Sequence, residues 1–163
     1  MKTKILIAFL LVATTSLFAQ KSPRQEANGT VNSIVVTIDY SSPRVKGRTI
    51  YGDLVPYDNV WRAGADKNTT VSFSKNVKVN GRDLKAGKYG FFIIPKENGV
   101  FTVIFNKKND AWGSYSYNKS QDALRLDLKT KNTSSNVENL TFDVTDKGIV
   151  FAWADKTFTL DIQ

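Results

Sequence analysis

The sequence predicts an all-β protein, an antiparallel β-sandwich of jelly-roll type with about eight to ten strands. Three observations predict it. Apolar and polar residues alternate over short runs, as in Ile34, Val36, Ile38 and Tyr40, which is the period of a half-buried strand. Turn pairs such as Asn80-Gly81 and Asn98-Gly99 recur between those runs, and both residue types tolerate positive φ. Past the first twenty residues, no stretch carries a 3.6-residue apolar period.

The chain opens with Lys2 and Lys4, an apolar run from Ile5 to Ala13, and small or hydroxylated residues up to Ala19. A basic start, a short apolar middle and a small residue at the cut are the features of a secretory signal peptide over residues 1–19. The run is well short of the roughly 20 residues that cross a bilayer. An exported protein is therefore expected, in the periplasm or outside the cell, with no membrane span once the signal is removed. Residues 20–29 are polar, contain Pro23 and lack periodicity, so they read as a flexible lead-in. A single domain is expected over residues 30–163.

Within it, Ile34 to Tyr40 is the first strand, ended by Pro43, and Val71 with Phe73 marks a second. Val77 and Val79 make a third, turning back at Asn80-Gly81. Tyr89 to Ile94 is apolar on both faces and stops at Pro95, as expected of a strand covered on both sides. Val100 to Phe105 and Leu124 to Leu128 follow, separated by a polar and aromatic loop. Lys129 to Asn136 reads as another loop. Leu140-Phe142-Val144, Ile149-Phe151-Trp153 and Phe158-Leu160-Ile162 then predict a C-terminal three-stranded meander.

Composition excludes several functions. The chain has no cysteine and no histidine, which removes Ser-His and Cys-His nucleophiles, imidazole zinc ligands and disulfides. Of 163 residues, 23 are Lys or Arg and 15 are Asp or Glu. Removing residues 1–19, with Lys2 and Lys4, leaves 21 basic against 15 acidic side chains, a net +6. Most of that charge lies on scattered lysines, the pattern of a solvated surface rather than a nucleic-acid groove. No cofactor is implied. Asn106 to Asp110 lacks the spaced acids of a calcium loop, so no metal is expected.

The least regular part of the domain is Gly47 to Thr70, GRTIYGDLVPYDNVWRAGADKNTT. It supplies Arg48, Tyr51, Asp53, Trp61, Arg62 and Asp66 on turns or short strands. Two readings are open for the Trp61-Arg62 pair. The aromatic face and the planar guanidinium fork can stack on a ring and grip an anion. Alternatively, Trp61 fills the core while Arg62, on the opposite face, pairs with Asp53, Asp58 or Asp66 to pin the loop. The aromatic run Trp112 to Tyr117 is likewise either a binding rim or the closure of one end of the core.

The pattern G-R-x-I-x-G-x-L-V-P-Y-x-x-V-W-R-x-G-A over Gly47 to Ala65 resembles a family of small secreted bacterial proteins, the domain of unknown function DUF2911. Leu84-Lys85-Ala86-Gly87-Lys88-Tyr89, Phe105-Asn106 leading to Trp112-Gly113-Ser114-Tyr115, and Asp122-Ala123-Leu124-Arg125 are similar to further segments of that family, in the same order. Asp66 stands where the family more usually has Asn, and Phe101 where Trp is common; the former weakens a neutral-amide role at 66, and the latter marks a packing position. The resemblance implies no activity.

The function expected from these residues is non-catalytic binding of an anionic or carbohydrate-like ligand, or of another envelope protein. Arg44, Arg48, Arg62 and Arg125 would hold anionic oxygens; Tyr51, Trp61, Trp112 and Tyr115 would stack, with Asp66 beside them. A purely structural or assembly role is one alternative. A histidine-free hydrolase using Asp, Tyr and Arg is the other, although no spacing of its acids demands a facing pair.

Overall fold

The computed structural model describes residues 21–163, so the expected signal peptide lies outside the described residues. Ten strands follow in chain order: β1 (Arg24–Val31), β2 (Ile34–Ser41), β3 (Thr70–Phe73), β4 (Val77–Val79), β5 (Arg82–Leu84), β6 (Gly87–Pro95), β7 (Val100–Asn106), β8 (Asp122–Lys129), β9 (Lys131–Thr145) and β10 (Gly148–Asp161). The fold class is the one the alternating pattern predicts.

One layer is a six-stranded antiparallel sheet in the order β1-β2-β3-β6-β7-β8. The other is built on the β9–β10 hairpin. The β4–β5 hairpin docks on the end of β10, where Lys78 N–H donates to the Gln163 carbonyl at 2.7 Å and Gln163 N–H returns the bond at 3.0 Å. On the opposite edge, Val45 N–H donates to the Glu138 carbonyl at 2.8 Å and Leu140 N–H to Pro43 at 3.0 Å. The sheets stay open rather than closing into a barrel.

Between the layers lies an aromatic core. Phe151 stacks on Phe158 with centroids 4.8 Å apart, Phe142 meets Phe151 at 5.3 Å, and Phe91 reaches Phe142 at 5.7 Å. Edge and stacked pairs of this kind add about 0.5–1.5 kcal/mol each beyond the area they bury. Strand β6 is buried on both faces, as its continuous apolar run predicts. Phe91 and Ile93 face the core, while Phe92 lies under the 107–121 loop with the Tyr117 ring 5.2 Å away.

Three expectations are corrected. The lead-in read as flexible through Gly29 is mostly strand: β1 pairs with β2 from Arg24–Ser41 to Val31–Ile34. As an edge strand it buries only Val31 fully, so its backbone bonds hold it without an apolar pattern to announce it. The polar stretch from Lys131 to Asn136 is the start of β9 rather than a loop. Finally, the C-terminal meander has two long strands instead of three. Ala154-Asp155-Lys156, read as a turn, is a bulge inside β10, with Ala154 at φ 54° and register shifts on either side. A bulge bends a strand without ending it.

Gly148 opens β10 at φ 136°, and a Cβ there would lie 2.0 Å from the Leu160 carbonyl oxygen. Gly148→Ala is expected to lower unfolding free energy by at least about 2 kcal/mol in urea titration. A change within about 0.5 kcal/mol, the range of a neutral surface substitution, would contradict this packing.

Candidate functional site

The irregular stretch after β2 folds by left-handed turns. Lys46, Asp58, Ala63 and Asp66 all have positive φ, a conformation non-glycine residues hold only when their surroundings impose it. Those surroundings are hydrogen bonds. Val55 N–H donates to Ile50 at 2.8 Å, and Asp58 N–H to Pro95 at 2.9 Å. Trp61 then exchanges two 2.8 Å backbone bonds with Ile93, extending the sheet along β6 beyond the end of β3. Its ring turns inward and stacks on Trp153 of β10, centroids 5.5 Å apart, while Nε1–H donates to the Gly64 carbonyl at 2.9 Å. Trp61 is only 9% exposed.

Beside this stack opens a cleft of about 410 Å³, within the size range of small-molecule sites. Arg44, Arg48, Trp61 and Arg62 all line it, as the sequence proposed for one surface. Lys21 and Lys46 join them, and Trp153 forms part of the wall. The lining contains no carboxylate. None of its five cations makes an ion pair among the described residues.

Neutral acceptors position the cations instead. Arg44 Nε donates to Asn139 Oδ1 at 3.1 Å. Arg48 Nε donates to the Val45 carbonyl at 3.0 Å and Nη2 to the Arg44 carbonyl. These bonds orient the guanidiniums and leave their charge uncompensated. Arg62 Nε and Trp153 Nε1 are buried N–H donors with no acceptor among the described residues, an uncommon arrangement in folded proteins. Arg62 therefore does not pair with Asp53, Asp58 or Asp66. The two open readings divide between neighbours: Trp61 serves the core, and Arg62 is left with its charge unanswered.

The remaining proposed residues fall outside the cleft lining. Tyr51 is core, its hydroxyl donating to the Trp153 carbonyl at 3.3 Å; burial pushes its pKa far up, with the charge of Asp155 adding to the shift. Asp66 contributes its backbone, its carbonyl accepting from Gly113 N–H at 3.1 Å. Trp112 and Tyr115 lie on the adjoining loop, 59% and 92% exposed. Arg125 is elsewhere, in a closed network: Nη2 donates to Tyr117 Oη at 2.7 Å, Nε to Asp122 Oδ2 at 3.2 Å, and Tyr117 Oη–H to that same oxygen at 2.8 Å. Asn106 Nδ2 donates to the other Asp122 oxygen at 2.8 Å. Burial, then the Asp122 bond, raises the Tyr117 pKa. This network pins the 107–121 loop and does not face the cleft.

Sequence reasoning missed Lys21, Lys46 and Trp153. A local signal was present for Lys46, since Arg44, Lys46 and Arg48 place a cation at every second position. What this lining can do is donate. Every strong polar side-chain group it offers is a cationic or neutral N–H or a hydroxyl, a set suited to oxyanions and unsuited to holding a metal cation.

With that geometry in place, comparison with known proteins gives one match. The family model described as "Protein of unknown function (DUF2911)" covers residues 22–162. The chain belongs to this family. No curated protein matches it significantly, and neither does any solved structure.

Tyr117→Phe is expected to cost about 1–3 kcal/mol in denaturant titration, because it leaves Arg125 and Asp122 short of a partner in a half-buried site. A stability equal to the parent's would show that the network does not pin the loop.

Proposed function

We propose that this DUF2911 protein is an exported, non-catalytic binding module whose cleft takes a small oxyanion, a carboxylate, phosphate or sulfate group. The observation that carries this reading is a cleft lined by five cations that make no ion pair among the described residues. A guanidinium donates through a planar fork that matches carboxylate and phosphate oxygens. In the partly enclosed cleft, water screens such contacts less than on an open surface. The buried Trp61–Trp153 stack underlies the cleft and holds its floor in place.

The cleft's chemistry supports binding over hydrolysis. Its serines include Ser42, whose Oγ–H is occupied by the Leu140 carbonyl at 2.7 Å. Two acids with displaced pKa values, Asp110 and Asp127, are both held below the usual carboxylate range, by Lys108 and by the Thr102 hydroxyl respectively. Such groups stay ionised near neutral pH and do not act as general acids. Export is proposed from the pattern of residues 1–19.

Calorimetric titration with sulfate tests this. Binding is expected, weakening as salt rises. Arg62→Gln should weaken binding about 10- to 100-fold, the loss of one charge-assisted hydrogen bond, with the ligand-free melting midpoint unchanged. Equal affinity in the variant, or no binding of sulfate, phosphate or a uronate by the parent, would overturn the proposal.

A further inference from the structure

The cleft does not end at Arg62. This side chain lines it, and its Nη1 lies 3.8 Å from the position a Cβ on Gly113 would take. Gly113 has φ 65°, and the same hypothetical Cβ would meet the Tyr115 ring at 3.2 Å. Arg62 is thus the joint between the basic cleft and the loop that carries Trp112 and Tyr115.

That loop is held firmly for one so exposed. Trp112 forms a bridge with Lys67, and Asn68 N–H donates to the Ala111 carbonyl at 3.1 Å. At its far end, Tyr117 packs on Phe92 and closes the Arg125–Asp122 network. Two exposed aromatic rings therefore stand on a held backbone beside the basic cleft. Lys67 pairs with Trp112, Ser114 and Ser116 flank Tyr115, and Asp66 and Asp110 stand at the same loop, Asp110 paired with Lys108, so the rings lie among polar and charged groups. A protein-docking site is more often a contiguous apolar patch of several hundred square ångströms. Single rings flanked by hydroxyls and a cation suit the faces of sugar rings, which present C–H bonds to an aromatic and hydroxyls to its rim.

We infer that the site binds an acidic glycan, with a uronate carboxylate in the cleft and the following sugars stacked on Trp112 and Tyr115. This rests on the anion reading of the cleft and extends it. The cleft supplies the charge contact, and the loop supplies affinity that grows with chain length.

The test compares galacturonate with its tetramer by calorimetry on the mature chain. The tetramer is expected to bind at least about tenfold tighter than the monomer, the gain of roughly two ring contacts. Trp112→Ala and Tyr115→Ala, both at exposed positions, should leave monomer affinity and melting midpoint unchanged and remove most of that gain. The fully methyl-esterified tetramer, which keeps the rings and loses the charges, should bind at least tenfold more weakly than the acid form. Monomer binding with no gain for the tetramer, or a gain that survives Trp112→Ala with Tyr115→Ala, would overturn the glycan assignment and leave the anion cleft standing. So would an equal gain with an oligoglutamate of matched charge, which would make the partner an acidic protein segment. Absence of binding by both monomer and sulfate would remove the cleft reading and this inference together.

Discussion

The stack of Trp61 on Trp153 is the contact on which the rest of the molecule depends. Trp61 belongs by its backbone to the six-stranded sheet, through Ile93, and by its ring to the other layer, through β10. It joins the two layers where the least regular part of the chain enters the core. Its indole N–H then fixes the Gly64 carbonyl, so the turn after it can run in only one direction. Arg62, one residue on, inherits that constraint. In an extended segment adjacent side chains take opposite faces, and burying Trp61 sends Arg62 out to the cleft.

The charge of the cleft follows from the same geometry. The turn at Lys46-Gly47 brings the Arg48 guanidinium back onto the Arg44 and Val45 carbonyls. Neutral oxygens accept from Arg44 Nε and from Arg48 Nε and Nη2, the Glu138 carboxylate accepts from the Lys46 backbone N–H, and neither arginine makes an ion pair among the described residues. A fold seeking only stability gains more by placing aspartate against such a side chain, and the Asp122–Arg125 pair shows this chain doing so elsewhere. Two arginines of the same chain thus serve different ends. Arg125 completes a closed network that pins a loop; Arg62 faces a cleft with a donor unmatched.

Much of this was legible in the sequence, and the failures have physical causes. Alternation in Ile34 to Tyr40 and the Asn80-Gly81 pair located β2 and the β4–β5 hairpin, because burial on one face and positive φ at a turn each demand particular residue types. Strand β1 and the first half of β9 were not legible, since they are held by backbone pairing along exposed, polar edges. Ala154-Asp155-Lys156 has turn composition but lies in a bulge, where the same backbone conformation bends a strand without stopping it. Arg44, Arg48, Trp61 and Arg62 were brought together as expected, because they sit close in one irregular stretch. Tyr51 was not, since its hydroxyl meets Trp153 far along the chain, and Arg125 was not, since Asp122 and Tyr117, three and eight residues before it, hold it in a network of its own. Whether Arg62 meets an aspartate is a fact of tertiary structure that spacing does not reveal.

The central claim is that Arg62 and its neighbouring cations face an oxyanion. The most direct measurement is an anomalous difference map from crystals of residues 20–163 grown with selenate. The account predicts a selenium peak in the cleft, about 4 Å from an Arg62 nitrogen so that a selenate oxygen lies within hydrogen-bond reach of it, with Trp61 still stacked on Trp153. A cleft without a peak, or an Arg62 turned onto Asp53, Asp58 or Asp66, would contradict it.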